Sequence, residues 1–430
     1  MKCMIAVILA GGKGTRLAEI AKDLPKPLVA IQGKPILQYQ VENLKRSGIN
    51  QVIMVIGYQG NKIKEFFGNG DRFGVRIDYF HEATPLGTAG AFYHLQDSLP
   101  DQFLVIYGDL IFDLNFEKFI HFHHKNHALC SLMVHPNDHP YDSDVFIMDS
   151  NKIIRKLLKK NLNRDFYYNN CVNAGIAILS KKALYNLQAD VSQDLETDVV
   201  LPHISSGQVI GYKTSEYIRD MGTPERYHLV EEHVVKGIVA KRNTTYKQKA
   251  IFLDRDGTIN KHVGFVSNPS DLKITEEAYW AIRLINRSEY LAIVITNQSV
   301  IARNLCSIKE LEEIHRKMEV DLGQRHVYID DLYYCPHHPD KGYPEENPLY
   351  KIQCHCRKPK IGLIEQAVEK YNIDLSQSYF IGDSLVDVQT GKNASLKTIS
   401  LSSQRFSDIE PDYYAKDLLE AVEIVMDKGK

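Results

Sequence analysis

The sequence is short of several things, and each shortage removes a class of protein. Among 430 residues there is one tryptophan, Trp280, and no surplus of either charge: 52 Lys and Arg stand against 54 Asp and Glu, a formal net charge of −2. So balanced a chain lacks the broad basic face that holds nucleic acid, and it has no acidic tail. No apolar run approaches the roughly 18–20 residues of a membrane helix. The apolar start, residues 4–10 (MIAVILA), is too short for a signal and runs into a glycine loop instead of a cleavage site. It reads as a buried first strand. A cytoplasmic location is therefore expected, with the seven cysteines reduced. There is no internal repeat and no low-complexity segment. What remains is the composition of an ordinary globular protein, 44% hydrophobic and 25% charged, long enough for two or three domains.

Two short apolar strands lead into chemically loaded loops: residues 4–10 before GGKGTRL, and residues 250–253 (AIFL) before DRDGTIN. Each reads as the first strand of its own α/β unit, because strand-like and helix-like stretches alternate after both. The expected fold class is α/β with two doubly wound domains, 1–240 and 249–430. The polar stretch 241–248 reads as a linker. Ligands of such sheets sit at the carboxyl ends of the strands, where both loops fall.

In the first loop, Leu9 and Ala10 lead into Gly11, Gly12 and Gly14, then Thr15 and Arg16. The glycines allow tight turning and close backbone approach, exposed N–H groups suit phosphate oxygens, and Arg16 offers a permanent bidentate charge. Lys26 follows between Pro25 and Pro27, which stiffen the backbone that carries it. A glycine loop alone is often a plain turn. The whole segment, however, resembles the sugar-phosphate nucleotidyltransferase family over residues 1–240, with GGxGTRL followed by a PKPL-type lysine. The resemblance implies that Gly87 and Thr88 approach the nucleobase and sugar. It implies that Asp109, after Tyr107-Gly108, and Asp220, before Met221-Gly222, bind Mg²⁺, with Asp109 also at the nucleotide, and that Asn173 and Gly175 touch sugar hydroxyls. Each aspartate taken alone would as often be a helix cap. Sugar 1-phosphate oxygen would attack the α-phosphorus of a nucleoside triphosphate, with Arg16, Lys26 and the metal offsetting anionic repulsion. Family members often carry a Glu-Lys pair at the sugar pocket; here Glu196 is followed by Thr197, so the cation there is missing from its expected place.

In the second loop, Asp254 and Asp256 stand two residues apart at a strand end. Asp254 suits a nucleophile on phosphorus and a Mg²⁺ ligand, and Asp256 suits an acid–base partner and a further Mg²⁺ ligand. The set resembles the haloacid dehalogenase superfamily, DxDGT. That implies Thr296 on the transferred phosphoryl, Lys358 as the motif lysine, Asp383 as a further metal ligand and Asp387 as support. Cys335 and His337, with Cys354 and Cys356, supply four ligands of the kind structural Zn²⁺ takes in a loop poor in core residues; His338 and His355 are less favoured alternatives. The combination of this loop with CRKP, DRDGTIN and TNQS resembles the heptose bisphosphate phosphatase branch, and a histidinol-phosphate phosphatase shares the loop. Asn297, Arg303 and Arg357 become candidate substrate-phosphate partners. Where that branch reads TNQSGIARG, this chain has Val300 and Asn304 in place of two glycines, so a reshaped substrate loop is expected.

Together the two resemblances imply a bifunctional enzyme of nucleotide-activated heptose biosynthesis. The second domain would remove the 7-phosphate of heptose 1,7-bisphosphate through an aspartyl-phosphate, and the first would join heptose 1-phosphate to a nucleotide, with GTP favoured. The cofactors are Mg²⁺ and structural Zn²⁺. The partners are nucleoside triphosphate and sugar phosphates, without nucleic acid or membrane; a homo-oligomer is compatible with the sequence. The competing readings are a mannose or other hexose 1-phosphate transferase fused to a histidinol-phosphate-type phosphatase, and a catalytically dead sugar-nucleotide-binding regulator.

Overall fold

A computed structural model describes residues 4–12, 17–21, 23–160, 162–340, 346–401, 405–406 and 409–428. The chain divides into two compact units. The first comprises Met1–His135, Asp144–Lys159 and Cys171–Asn243; the second comprises Pro136–Ser143, Lys160–Asn170 and Thr244–Lys430. Two short segments of the first half thus count with the second unit. The stretch 241–248 is not a solvated tether. Arg242, Asn243, Thr244 and Gln248 are buried. Asn243 donates to Asp113 at 2.6 Å in the first unit, and the Gln248 amide N–H donates to the Asn372 carbonyl in the second. Polar side chains bury here because each finds a partner.

The first unit is built on a nine-stranded sheet. Its centre is parallel: Ile5–Leu9 lies between Gln51–Ile56 and Gln102–Tyr107, and Arg76–His81 extends it. The strand Val172–Ser180 then runs antiparallel to Gln102–Tyr107 and to Cys130–His135. The sheet is therefore mixed, where alternation alone suggested a largely parallel one. Strand residues alternate between two cores, Ala6 and Ile8 facing one and Val7 the other, so both faces are covered. A separate ribbon pairs Leu110–Phe112 with Ile218–Asp220, antiparallel, with Leu110 opposite Asp220.

The second unit holds a six-stranded, wholly parallel sheet. Lys249–Leu253 lies at its middle, with Tyr290–Asn297 on one side and Tyr379–Gly382 on the other. The chain order reverses across that first strand, which opens a crevice at its carboxyl end. Ahead of the helix Leu418–Lys428, Tyr413–Tyr414 adds an edge strand. Among the described residues no helix is long and apolar enough to cross a membrane.

Candidate active sites

In the first unit a cavity of about 470 Å³ opens where Ile5–Leu9 and Gln102–Tyr107 end. Leu9, Ala10, Gly11, Gly12, Lys26, Gly87, Thr88 and Asp109 line it, together with Glu82 and Tyr107. Gly14, Thr15 and Arg16 lie outside the described residues. The ribbon register brings Asp220 to the Asp109 loop across more than a hundred residues, and the Met221 amide donates to the Asp109 carbonyl at 3.2 Å. Lys26 is buried and its Nζ lies 2.5 Å from Asp109 Oδ2. Asp220 is clasped by Arg226 at 2.8 and 2.7 Å. Burial pushes the Asp220 carboxyl up, but the Arg226 charge and its hydrogen bonds, with Lys26, outweigh it and hold the group below the usual range.

Gly87 has φ +75, and a Cβ there would lie 2.3 Å from the Gln193 carbonyl oxygen, so only glycine lets this loop close over the cavity. Thr88 Oγ1 accepts from the Leu195 amide at 2.7 Å. Glu196 is buried and accepts from the Tyr107 hydroxyl at 2.7 Å and from Asn173 Nδ2 at 2.6 Å. Burial, then the neighbouring Asp194 charge, raises its carboxyl above the usual range. Gly175 (φ +70) backs against the Tyr107 ring.

Thr197 does not stand in for a lysine; its hydroxyl donates to Asp194 at 2.8 Å. The cation nearest this carboxylate pair is that of Lys159, whose Nζ is 3.4 Å from both Asp144 and Asp194 and interacts with Glu196. Sequence reading overlooked it. Its only signal was a lysine pair directly after the strand Ile154–Leu158. Glu82 was also overlooked: it lines the cavity, a Cβ on Gly11 would lie 2.6 Å from its Oε2, and burial raises its carboxyl.

In the second unit a cavity of about 260 Å³ is lined by Asp254, Asp256, Thr296, Asn297, Lys358 and Asp383, with His262, Gln298, Ser299, Phe265 and Asp387. Arg303 and Arg357 are not among its lining residues. Arg303 stands behind Phe265, its guanidinium carbon 5.0 Å from the ring centroid, and Arg357 donates to the His337 carbonyl at 3.0 Å. Lys358 Nζ bridges Asp254 Oδ1 at 2.8 Å and Asp387 Oδ1 at 2.5 Å. Burial pushes Asp254 up to about 7 against the pull of Lys358, and the charges of Asp387 and Asp256 add to the rise. Asp387 Oδ2 accepts from Ser384, closing a capping box on the helix Leu385–Asn393. Asn297 and Lys358 exchange two hydrogen bonds, 3.2 and 3.0 Å, which join two distant loops.

The carboxylates whose oxygens gather closely enough for one metal are Asp254, Asp383 and Asp387. Asp256, expected among the metal ligands, is not in that group. Its carboxylate is taken by Arg255 (2.8 Å), Gln298 Nε2 (2.8 Å) and Asn260 Nδ2 (3.0 Å), while Asp387, read as mere support, joins the acidic group. Gly257 (φ +83) makes the approach of Asp383 feasible, since a Cβ there would lie 2.1 Å from Asp383 Oδ2.

The two lost glycines do not strain the next loop. Val300 keeps a negative φ and is buried beside Ile301 and Leu311; Asn304 takes φ +56, which asparagine tolerates well. The expected reshaping is therefore not required by the backbone.

A third cluster gathers Cys335, His337, Cys354 and Cys356, all ligand atoms lying within 4.8 Å of one another. Cys335 Sγ is 3.2 Å from Cys356 Sγ and 3.6 Å from Cys354 Sγ, and His337 Nδ1 is 3.3 Å from Cys356 Sγ. His338 turns to Arg303 and His355 pairs with Glu365 at 2.6 Å, so neither joins the group.

Comparison with known proteins matches residues 5–237 to the family described as nucleotidyl transferase, and residues 355–421 to one described as HAD-hydrolase-like. A D-glycero-beta-D-manno-heptose-1,7-bisphosphate 7-phosphatase of Haemophilus ducreyi is 40% identical over 152 residues, 35% of this chain and 81% of that protein. A mannose-1-phosphate guanylyltransferase catalytic subunit beta of Xenopus tropicalis is 32% identical over 230 residues, 52% of this chain and 62% of that protein. A crystal structure of HddC from Yersinia pseudotuberculosis complexed with GMP-PN is 29% identical, with TM-score 0.47, covering 54% of this chain and 99% of that one. The chain is thus an enzyme of two activities, belonging to the nucleotidyl transferase family in its first half and to the haloacid dehalogenase-type phosphatases in its second.

Proposed function

We propose that this enzyme catalyses consecutive steps toward a nucleotide-activated heptose. The second unit removes the 7-phosphate of D-glycero-D-manno-heptose 1,7-bisphosphate, and the first transfers GMP from GTP to the resulting heptose 1-phosphate. The observation that carries this reading is the union, in one chain, of a half similar to heptose-1,7-bisphosphate 7-phosphatases with a transferase half whose acceptor would be that phosphatase's product.

In the phosphatase cavity Asp254 Oδ attacks phosphorus and the sugar oxygen departs with a proton delivered at Asp256. Water then cleaves the aspartyl-phosphate with the same residue accepting a proton. Lys358 orients Asp254, and Thr296 and Asn297 hold phosphoryl oxygens. Asp254, Asp383 and Asp387 are the residues that would hold Mg²⁺, which when bound offsets phosphoryl charge. Cys335, His337, Cys354 and Cys356 would hold structural zinc: three thiols and one imidazole, with ligand atoms all within 4.8 Å of one another, are a donor set that ion takes. Zinc there fixes the loop that ends in Arg357 and Lys358.

In the transferase cavity Lys26 and Arg16 receive phosphate charge, and Asp109 and Asp220 would hold Mg²⁺ after exchanging their present partners Lys26 and Arg226. Asn173 and Glu196 receive sugar hydroxyls, and Lys159 supplies the cation for the sugar phosphate. Glu82 favours guanine. That base presents two adjacent donors on its Watson–Crick edge, N1–H and N2–H, which one carboxylate accepts side by side, whereas adenine, cytosine and uracil present an acceptor next to their donor.

The test is a coupled assay with Mg²⁺ and heptose 1,7-bisphosphate, offering GTP, ATP, CTP or UTP in turn and recording phosphate and pyrophosphate separately. Both products, with pyrophosphate formed best from GTP and that preference weakened in Glu82→Gln, support the reading. Phosphate without pyrophosphate from any nucleotide removes the proposed acceptor. No phosphate removes the heptose.

A further inference from the structure

Between the two aspartates of the phosphatase loop sits Arg255, one of the few arginines in any protein that is fully buried, at 0% exposure. Its guanidinium has only donors to offer, and Asp256, Gln298 and His315 accept from it. Nε and Nη2 grip Asp256, Nη2 also donates to Gln298 Oε1 at 3.1 Å, and Nη1 donates to His315 Nε2 at 3.2 Å. Because arginine cannot accept, His315 must be the acceptor, so its ring is neutral with Nε2 bare. His315 comes from the helix Ile308–Gln324, whose start is fixed by the Ser307–Glu310 capping box, and its ring lies 5.2 Å from that of Tyr334. The next residue, Cys335, accepts the Gln298 amide at 2.8 Å. Arg255 and Gln298, the two groups that clasp Asp256 along with Asn260, are thus both tied back to the rigid strand and helix behind the cavity.

We propose that His315 is a positioning residue for phosphate hydrolysis, acting through Arg255 to fix the direction in which the Asp256 carboxylate faces the substrate. A fork-shaped cation held at its far end cannot swing, and neither can the carboxylate that it grips by two of its nitrogens. Without an acceptor at Nη1 the guanidinium has a free edge in an apolar surrounding and rotates to satisfy it, taking Asp256 along. A displacement of that kind costs rate without costing substrate affinity, because Asp254, Lys358 and the acidic group are untouched.

The inference rests on the phosphatase reading but not on the sugar, so the assay uses p-nitrophenyl phosphate with Mg²⁺ on the full chain. A wrong heptose assignment leaves this turnover intact in the wild type, whereas a wrong role for His315 leaves it intact in the variants. His315→Phe keeps the volume and removes the acceptor; His315→Gln restores one through its side-chain oxygen. The expected result is a kcat about tenfold or more lower for His315→Phe, KM within about twofold, and most of the loss recovered by His315→Gln. Unchanged kcat in His315→Phe, or an equal loss in both variants, overturns the proposal. Should His315→Phe not fold, Arg255→Lys serves: a point charge cannot reach three partners, so the same loss in kcat alone is expected, and full activity overturns the proposal.

Discussion

Replacing Lys358 by Met removes the one cation that bridges two buried carboxylates. Lys358 and Asp387 are almost wholly enclosed, with side-chain exposures of 3% and 1%, and Asp254 is little more open at 12%. Removing one partner of a buried ion pair leaves the other charge without compensation and costs about 3–5 kcal/mol. The higher figure is expected here, since two acceptors at 2.8 and 2.5 Å lose the same donor. A domain holds about 5–15 kcal/mol in all, so the second unit stays folded but weakened. Trp280, the single tryptophan, belongs to this unit, so its fluorescence reports urea unfolding of this unit. Mg²⁺ bound as proposed at Asp254, Asp383 and Asp387 would supply a replacement charge, and saturation about 100-fold over its Kd would add about 2.7 kcal/mol. The measurement is made without chelator, which would also strip the Cys/His cluster. Expected are a loss of about 3–5 kcal/mol in Mg²⁺-free buffer, a larger recovery with Mg²⁺ than in wild type, and no phosphate release, with pyrophosphate release from supplied heptose 1-phosphate kept. A loss below about 1 kcal/mol, with the same Mg²⁺ response as wild type, would refute the view that Lys358 holds the acidic group together.

Other perturbations separate the two sites. Asp254→Asn should end phosphate release and leave pyrophosphate release from supplied heptose 1-phosphate, and Asp109→Ala should do the reverse; one change stopping both in a folded protein contradicts separate sites. Gly87→Ala, whose Cβ would meet the Gln193 carbonyl at 2.3 Å, should cut the transferase about tenfold or more and spare the phosphatase, while Gly257→Ala, displacing Asp383, does the opposite. Metal analysis should return about one zinc per chain, lost together with second-unit stability in Cys356→Ser. His123 is fully buried, and burial first, then the charge of His124, lowers its pKa to about 4. Above about pH 6.5 it is neutral folded or unfolded and contributes no pH dependence. As pH falls from there to about 4 the unfolded chain takes up a proton that the folded chain refuses, so stability drops by about 3 kcal/mol. Calorimetry of wild type against His123→Phe should show a loss over that range larger by about 3 kcal/mol in the former, the other buried histidines contributing equally to both.

The sequence alone determined the things that follow from local pattern. Apolar runs ending in GG and DRDGT mark strands whose carboxyl ends carry chemistry, because period and turn residues act over a few neighbours. The Cys-x-His and Cys-x-Cys pairs likewise name their own cluster. What only the tertiary structure decided are partners that meet across long stretches of chain. Lys159 reaches Asp194 because a strand end and a helical turn share one side of the sheet, and nothing near Thr197 announces it. That Asp387 gathers with Asp254 and Asp383, while Arg255 grips the Asp256 carboxylate and reaches His315 sixty residues on, is likewise a matter of tertiary contact. The sheet became mixed because Val172–Ser180 returned antiparallel, a choice made by strand order and not by composition. Val300 fits where glycine was expected because a backbone angle, which is set by the fold around it, never entered the left-handed region.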